Sequence, residues 1–255
     1  MDLRTLADRF DDELRTDAFA DLDASANGLQ VGPADGTVEH VAVAVDAAVA
    51  TIEAAAEADA DALVVHHGLS WGGIERVTGR AYDRIRALMD AGIGLYVSHL
   101  PLDSHPTLGN AAGLADELAL HDRSPFGTLG PETIGLRGRL PDGTLATTLA
   151  DRLEGDLEVG DAGVQLLEHG PDRIRDLAIV TGSGADWFDE AATAEVDALL
   201  TGEGKGKLYH QAREAGVTVL LAGHYATETF GVRNLAALAG EWGLETTYIS
   251  HPTGL

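Results

Sequence analysis

Cysteine is absent from the 255-residue sequence, and lysine occurs only twice, as Lys205 and Lys207. The absence of cysteine excludes disulfide bonds, thiolate catalysis and cysteine-based metal sites, so any metal must be bound by histidine, aspartate or glutamate. Basic residues are also few, since 17 of them face 42 acidic residues and leave a formal net charge of −25. Because such a chain offers no basic stripe to a phosphate backbone, we expect no nucleic-acid partner.

The acidic residues are spread along the whole chain, and nearly all of the basic residues are arginine. This composition is typical of proteins adapted to concentrated salt, in which screening reduces the repulsion among like charges. The composition therefore predicts a halophilic protein with an acidic surface. An ordinary acidic protein is the alternative interpretation.

Long apolar runs are missing as well. No stretch reaches the length of about 20 residues that a transmembrane helix needs. The first residues, Met1 to Arg4, lack the basic and then apolar layout of a secretory signal. We expect a cytoplasmic protein that does not contact a membrane.

Short apolar runs alternate with helical patterns along the chain. An amphipathic helix is predicted over residues 3–15, and strands are predicted at 40–45, 61–66, 93–98, 175–182, 196–202 and 217–223. Strands that alternate with helices indicate an α/β fold with a mostly parallel sheet. The motif "DALVVHHG" at 61–68 aligns with "DALLTGEG" at 197–204, and the first two strands of each set are separated by 22 residues. This order predicts two similar α/β domains from an internal duplication.

Between the two sets lies a strand-rich insert with the run "ETIGLRGRL" at 132–140. Glycine and proline in "GTLGPET" interrupt the helical and the strand pattern, so this segment is the predicted domain boundary. The predicted domains are residues 1–126, which contain the adjacent histidines, and residues 127–255, which contain "GHYATE".

Polar side chains collect at the ends of the predicted strands. They are His66, His67, His99 and Asp103 in the first half, and Glu203, His224 and Glu228 in the second half. Ligands of open α/β sheets bind beyond the carboxyl ends of parallel strands, so these side chains are candidates for a common site. Each half has a histidine four residues before a carboxylate, and one helical turn would bring such a pair onto one face.

Imidazole and carboxylate ligands together suit zinc, manganese, iron, cobalt or nickel. The set is larger than one tetrahedral ion requires, so we expect two divalent metal ions. Single histidines at strand ends are more often structural, which is our interpretation of His40, His121 and His169, while His105 and His251 are left open. The glycine turn "TGSGADW" at 181–187 lacks a Walker lysine and does not by itself predict phosphate binding.

Five motifs occur in a fixed order along the chain. They are "NGLQVG", "HHGLSW", "SHLPLD" followed by "GN", "TGEGK" followed by "YH", and "GHYATE" followed by "GV". In this respect the chain, from Asn27 to its last residue, resembles the dinuclear-metal-centre family, which is Nif-three-like and includes the GTP cyclohydrolase 1 type 2 homologues. Two departures are modest: Gly68 replaces a proline that many members carry, and Leu100 and Pro101 replace a more polar pair.

The resemblance implies two intertwined α/β domains, each with a largely parallel or mixed sheet flanked by helices, and a C-terminal segment that packs back on the first domain. It also implies a homo-oligomer, a hexameric ring, with a two-metal site. The implied metal ligands are His66, His67, Asp103, His224 and Glu228. The implied catalytic or site-lining residues, which would orient ligands or move protons, are His99, Glu203 and His210.

The predicted function is that of a metal-dependent hydrolase acting on a nucleotide-like or other small substrate, similar to GTP cyclohydrolase type 2. Few basic residues are available for a triphosphate; the candidates are Arg137, Arg139, Lys205 and Lys207. The alternative is a non-catalytic metal-binding scaffold or a regulatory interaction protein.

Overall fold

The computed structural model describes residues 1–33 and 35–255. The chain forms two compact units, each built from two segments. The first unit comprises Met1–His105 and Gly231–His251, and the second comprises Pro106–Phe230 and Pro252–Leu255.

The first unit contains a five-stranded sheet and its helices. Its strands are β1 (Gly28–Val31), β2 (His40–Asp46), β3 (Ala62–His67), β4 (Gly94–Val97) and β11 (Glu245–Tyr248). Its helices are α1 (Leu3–Leu14), α2 (Val49–Glu57), α3 (Arg80–Ala91) and α4 (Leu100–Asp103). Helix α10 (Thr229–Glu241) begins in the second unit and continues into the first.

The sheet of the first unit has the strand order β1-β4-β3-β2-β11. Strands β4, β3, β2 and β11 are parallel, and β1 is antiparallel to β4 at the edge. Strands β3 and β4 are almost entirely buried, as expected for strands of a parallel sheet that is covered on both faces. Their apolar runs therefore lack the alternation of a half-exposed strand, and both end at the same edge.

The second unit contains a six-stranded sheet. Its strands are β5 (His121–Leu129), β6 (Glu132–Leu145), β7 (Gln165–Leu167), β8 (Arg173–Ile179), β9 (Ala198–Thr201) and β10 (Thr218–Leu221). Its helices are α5 (Asn110–Glu117), α6 (Ala146–Asp156), α7 (Phe188–Thr193), α8 (Leu208–Ala215) and α9 (His224–Thr227), followed by the start of α10. The strand order is β5-β6-β8-β9-β10-β7, in which β8, β9 and β10 are parallel.

The two sheets repeat one arrangement of four strands. The parallel strands β2, β3 and β4, flanked by antiparallel β1, correspond to β8, β9 and β10, flanked by antiparallel β7. The aspartates of the two "DAL" motifs make equivalent contacts: Asp61 Oδ2 accepts backbone hydrogen bonds from Glu39 and His40, at 2.8 and 3.0 Å. Asp197 Oδ2 accepts them from Arg175 and Asp176, also at 2.8 and 3.0 Å. The duplication is therefore visible in individual hydrogen bonds.

The opening helix shows how the apolar spacing produces burial. Helix α1 is capped by Asp2, whose Oδ1 accepts a hydrogen bond from the backbone of Thr5 at 2.8 Å. The side chains that the periodicity placed on one face are all buried, namely Leu3, Leu6, Ala7, Phe10 and Leu14. Phe10 packs on Tyr96 and Trp242, with ring centroids 5.2 and 4.9 Å apart, and so joins the helix to the core of the first unit.

The predicted α/β class with two sheets flanked by helices is confirmed. The bounds of the six predicted strands agree with the observed bounds to within two residues, except at the end of β8. Strand β8 ends at Ile179 instead of residue 182, since the following glycine turns away. The segment of the predicted boundary forms a β-hairpin turn, in which Leu129 pairs with Glu132 across Gly130 and Pro131.

The compact units divide the chain after His105, after Phe230 and after His251. The sequence-based domain bounds 1–126 and 127–255 stay a prediction. Strand β11, which belongs to the first unit, pairs with β2 in parallel. No helix among the described residues is long and apolar enough to span a bilayer.

Candidate metal centre

The first unit brings three histidines together at the carboxyl edge of its parallel strands. His66 and His67 are the last residues of β3, and His99 follows β4 and precedes α4. The ring centroid of His66 lies 4.7 Å from that of His67 and 5.0 Å from that of His99. One nitrogen from each ring can be chosen so that the three atoms lie within 4.8 Å of one another, a spacing that allows one ion to reach all three.

His66 is fully buried, and the backbone determines its tautomer. Its Nδ1 atom lies 2.9 Å from the carbonyl oxygen of Ser98. A carbonyl oxygen only accepts hydrogen bonds, so Nδ1 donates and the neutral ring keeps a lone pair on Nε2. That Nε2 atom lies 3.5 Å from Oδ2 of Asp103, which is itself buried at 9% exposure. The buried Nε2 atom of His66 and the buried carboxylate of Asp103 are thus arranged in a way that suits a cation.

His67 is oriented by a carboxylate of the neighbouring strand. Its Nδ1 atom lies 2.9 Å from Oδ1 of Asp46, the last residue of β2, and the two residues are register partners in the sheet. Metal-binding histidines usually donate their second ring N–H to a carboxylate or a backbone carbonyl. His66 and His67 both follow this pattern through Nδ1.

His99 is oriented by a network around Asp23. Its Nδ1 atom lies 2.9 and 3.1 Å from the two carboxylate oxygens of Asp23. Asp23 also accepts hydrogen bonds from the backbone of Ser25 and Leu100 and from the amide of Asn27. The backbone of His99 donates to Oδ1 of Asn27 at 2.8 Å. The segment around residues 23–27 therefore fixes both the backbone and the ring of this histidine.

The pKa of Asp23 reflects these contacts. Burial of the carboxyl group raises its pKa, but the hydrogen bond and charge of His99, with the hydrogen bonds of Asn27 and Ser25, outweigh burial and lower the pKa to about 2. Asp23 is therefore ionised at neutral pH and gives His99 a permanent anionic partner.

The second unit provides a histidine and two glutamates. A four-residue helix, α9, begins at His224 directly after β10, and Glu228 follows its last residue. The spacing places His224 Nε2 3.1 Å from Oε2 of Glu228, which is 3% exposed. On the other side of the ring, Nδ1 lies 3.3 Å from Oε1 of Glu203, which follows β9. Ser183 donates a short hydrogen bond to the same oxygen of Glu203.

Two glycines leave the space in which these side chains meet. Gly182 has φ +57°, and a Cβ atom there would collide with Glu228 Oε1 and lie 3.1 Å from His224 Nε2. A Cβ atom on Gly202 would lie 2.7 Å from the Cα atom of His224. Any larger residue would therefore displace the acidic groups or the helix that presents the histidine.

The charges of the second unit shift the pKa values of its site residues. The hydrogen bond from Ser183 is the main cause that lowers the pKa of Glu203, and the nearby His224 adds to it. Burial lowers the pKa of His224, but Glu228 and Glu203 outweigh burial and raise it to about 9. A metal ion that binds His224 therefore competes with a proton, since imidazole must be neutral to act as a ligand.

A cavity of about 480 Å³ lies beside Glu203 in the second unit. Its walls include the glycine-rich loop 202–206 and the side chains of Leu208, Tyr209 and Leu221. This volume is within the range of small-molecule sites, and its position follows the carboxyl ends of β9 and β10.

The four basic residues suggested for a triphosphate each contact an acidic or polar group. Lys205 forms a short ion pair with Asp186, and Lys207 Nζ lies 3.8 Å from the same carboxylate. Arg139 Nε lies 3.4 Å from Asp176, while Arg137 donates hydrogen bonds to Ser124 and to the carbonyl oxygen of Ala194. The carboxylate contacts of Lys205, Lys207 and Arg139 lower the positive charge available to a phosphate.

The sequence-predicted residues fall into two groups. The first unit brings together His66, His67, His99 and Asp103, and the second brings together Glu203, His224 and Glu228. Within the first group the pairing differs from the expected one, because Asp103 approaches His66 and His99 contacts Asp23 instead. His210 lies exposed on α8, where its ring meets the edge of Tyr209.

Sequence reasoning missed four residues of these clusters: Asp23, Asp46, Gly182 and Ser183. Asp46 closes its strand as the histidines close theirs, so the strand-end rule could have found it. Gly182 and Ser183 belong to the glycine turn that had been set aside as a weak phosphate motif. For Asp23 the only signal is its place four residues before Asn27 of the "NGLQVG" motif.

The fold and the donor residues define an α/β protein with groups of side chains able to hold a metal ion. The chain belongs to the Duf34/NIF3 (NGG1p interacting factor 3) family, whose model matches residues 1–253. The family resemblance drawn from the five motifs is therefore confirmed.

The similarity to relatives and to solved structures extends over the whole length of the chain. A GTP cyclohydrolase 1 type 2 homolog from Halobacterium salinarum is 60% identical, and the match covers 100% of both chains. The crystal structure of TTHA1606 from Thermus thermophilus is similar at 38% identity with a TM-score of 0.89, over 100% of each chain. The structure of ybgI, a protein of unknown function, is similar at 33% identity with a TM-score of 0.91, also over 100% of each chain.

Proposed function

We propose that this chain is a metal-dependent hydrolase that holds two divalent ions through His66, His67, Asp103, His224 and Glu228. The observation that supports the proposal best is the orientation of His66. Its Nδ1 atom lies 2.9 Å from the Ser98 carbonyl oxygen, and its Nε2 atom lies 3.5 Å from Oδ2 of Asp103. Neutral imidazoles whose second nitrogen is engaged in this way are characteristic of metal sites.

The proposed ligand set takes His66, His67 and Asp103 from the first unit and His224 and Glu228 from the second. Imidazole and carboxylate together favour zinc, manganese, iron, cobalt or nickel over magnesium or calcium. Two such metal ions would supply an activated water for hydrolysis near neutral pH.

The remaining polar residues have roles in orientation and proton transfer. Glu203 is the preferred group to accept and return a proton, since it follows β9 at the carboxyl edge of the sheet and Ser183 holds its Oε1 atom. Asp46 orients His67, and Asp23 orients His99. His99 and His210 stay predictions for further site-lining groups.

A small nucleotide-like substrate is the class that we infer. The cavity beside Glu203 is large enough for a nucleoside, and the relative from Halobacterium salinarum is named a GTP cyclohydrolase 1 type 2 homolog. We do not infer that GTP itself is the substrate, because the basic residues available for its triphosphate are already paired with acidic or polar groups.

The test is to purify the protein in high salt, measure its metals per chain, and screen nucleotides and phosphoesters for turnover. Turnover that a chelator abolishes and a divalent metal restores would support the proposal. The Glu203→Gln variant should retain its metal and lose most of its turnover. A metal-loaded protein that is inert towards every compound would instead support a metal-binding scaffold or a regulatory partner.

We also infer that the protein forms a homo-oligomer, a hexamer, that works in the cytoplasm at high salt. The composition and the family resemblance support this inference, since the net charge is −25 and lysine is rare. Light scattering tests the oligomeric state, and denaturant unfolding in low and high concentrations of potassium chloride tests the adaptation to salt. A monomer in concentrated salt, or a fold that is equally stable without salt, would contradict them.

A further inference from the structure

Trp71 lies half exposed beside the histidine cluster of the first unit. Its ring meets His99 edge-on, with centroids 4.9 Å apart and an interplanar angle of 78°. Its centroid is 6.1 Å from that of His67. The indole is 47% exposed. The other two tryptophans have different contacts, because Trp187 donates a hydrogen bond to Thr128 and Trp242 packs on Phe10 and under Arg9.

The backbone around Trp71 is held by the same segment that orients His99. The backbone of Ala26 donates to the Ser70 carbonyl at 3.1 Å, and that of Gly72 donates to the Ala24 carbonyl at 2.6 Å. These bonds form a short β-bridge between Ser25 and Trp71. Since Asp23 and Asn27 bind His99 from this segment, the indole and the imidazole are anchored to a common support.

An anchored and half-exposed indole is well suited to contact a ligand. Its face is a large and rigid apolar surface that costs little conformational entropy when a ligand binds. Planar bases gain roughly five- to 150-fold in affinity when they stack on an aromatic side chain. A heterocycle stacked there would place its ring nitrogens and exocyclic groups close to the imidazoles of His67 and His99.

We propose that Trp71 is a positioning residue on whose indole a planar nitrogen heterocycle of the substrate, such as a purine, stacks beside the metal centre. This inference rests on the proposed function and assigns a substrate class to the same site. It requires no triphosphate. An organic cation is the other kind of ligand that an indole face attracts, and the test separates the two.

The test is calorimetric titration of the metal-loaded protein in high salt with guanosine, adenosine, ribose 5-phosphate or tetramethylammonium. Wild-type protein should bind at least one nucleoside more tightly than the sugar phosphate or the cation. Trp71→Ala should weaken nucleoside binding by about tenfold, while Trp71→Phe should keep most of the affinity. Tyr82→Ala is the matched control, since Tyr82 is an exposed aromatic on α3 with 48% exposure, and it should bind as wild type does.

Equal nucleoside affinity in wild type and Trp71→Ala would overturn the proposal, as would tighter binding of tetramethylammonium or no nucleoside binding at all. Metal content should be the same in all four proteins. Where turnover is measurable, Trp71→Ala should raise KM more than it lowers kcat. Chelator-sensitive turnover that Trp71→Ala leaves unchanged would overturn only the role of Trp71, whereas Trp71-dependent binding without any turnover would overturn only the hydrolase.

Discussion

Nδ1 of His67 lies 2.9 Å from Oδ1 of Asp46, and the two residues end neighbouring parallel strands. The sheet register therefore brings a carboxylate to the histidine without any loop, so that the orientation of the ring depends on two rigid elements. Side chains fixed in this way lose little freedom when they bind an ion, which favours affinity.

Replacement of Asp46 should weaken metal binding without unfolding the protein. Asp46→Ala removes the partner that holds the His67 ring, and loss of such a partner typically costs about 10- to 100-fold in metal affinity. Competition with a chromogenic chelator measures this change. Asp8→Ala on the exposed face of α1 is the control for loss of one negative charge. Unchanged affinity in Asp46→Ala would contradict the role assigned to this carboxylate.

Removal of one proposed ligand from either unit should lower the metal content. His67→Ala and Glu228→Ala should each bind one ion or none, because each deletes a donor from the proposed ligand set. Plasma emission spectroscopy of the purified variants gives the ratio of metal to protein. His121→Ala, at a 48% exposed histidine of β5, should retain the wild-type ratio. Two ions retained in both ligand variants would rule out this ligand set.

A methyl group at Gly182 should disturb the cluster of Glu228 and His224 in the second unit. Its Cβ atom would collide with Glu228 Oε1, and the residue has φ +57°. We expect Gly182→Ala to lose about 2 kcal/mol of stability and to reduce metal binding. Gly155→Ala is a matched control in helix α6, where a Cβ would meet nothing within 4 Å. That variant should be about 0.5–1 kcal/mol more stable. If Gly182→Ala and the wild type unfolded at the same denaturant concentration, this account would be disproved.

The lowered pKa of Asp23 predicts a loss of stability in acid. Its pKa is 3.8 without the protein contacts and about 2 in the folded chain, so between these values the unfolded state binds more protons. The stabilisation of about 2 kcal/mol is fully present above about pH 5 and is lost as the pH falls through about 4 to 2. Denaturant unfolding of metal-free wild type and Asp23→Asn at about pH 6 and about pH 2.5 measures it. Asp21→Asn, at an exposed position, controls for the charge. Two parallel pH dependences for wild type and Asp23→Asn would refute the assignment.

The repeated aspartates predict equal effects in the two units. Asp61→Ala and Asp197→Ala each leave two backbone N–H groups without their carboxylate acceptor. Each change should cost about 1–3 kcal/mol of unfolding free energy. Asp172→Ala, at an exposed residue before β8, should change stability by less than about 0.5 kcal/mol. A large loss of stability at only one of the two aspartates would show that the repeated motif does not stabilise the two units equally.

The sheets were predictable because local apolar runs determine them. The runs at 40–45, 61–66 and 217–223 lie within two residues of β2, β3 and β10, since strands buried on both faces need continuous apolar side chains. Adjacent histidines at the end of such a run identified the edge of the sheet at which polar residues collect. This inference needed no knowledge of the contacts between distant segments.

The partners of the histidines were not predictable, because each comes from far along the chain. Asp23 is 76 residues from His99, and Asp46 is 21 residues from His67. The approach of Gly182 to Glu228 likewise depends on how two loops of the second unit pack, which no local pattern records. Spacing indicated which residues could bind a metal, and the tertiary structure determined which carboxylate orients each ring.

Strand β11 has a consequence for synthesis on the ribosome. It pairs with β2, so Glu245–Tyr248 must be translated before the strand of His40–Asp46 gains its second neighbour. Until then the N-terminal sheet presents an open edge of unpaired amide and carbonyl groups to other nascent chains. This edge of the sheet therefore stays open until residues 245–248 have been synthesised, and premature termination before residue 245 would yield an aggregation-prone product.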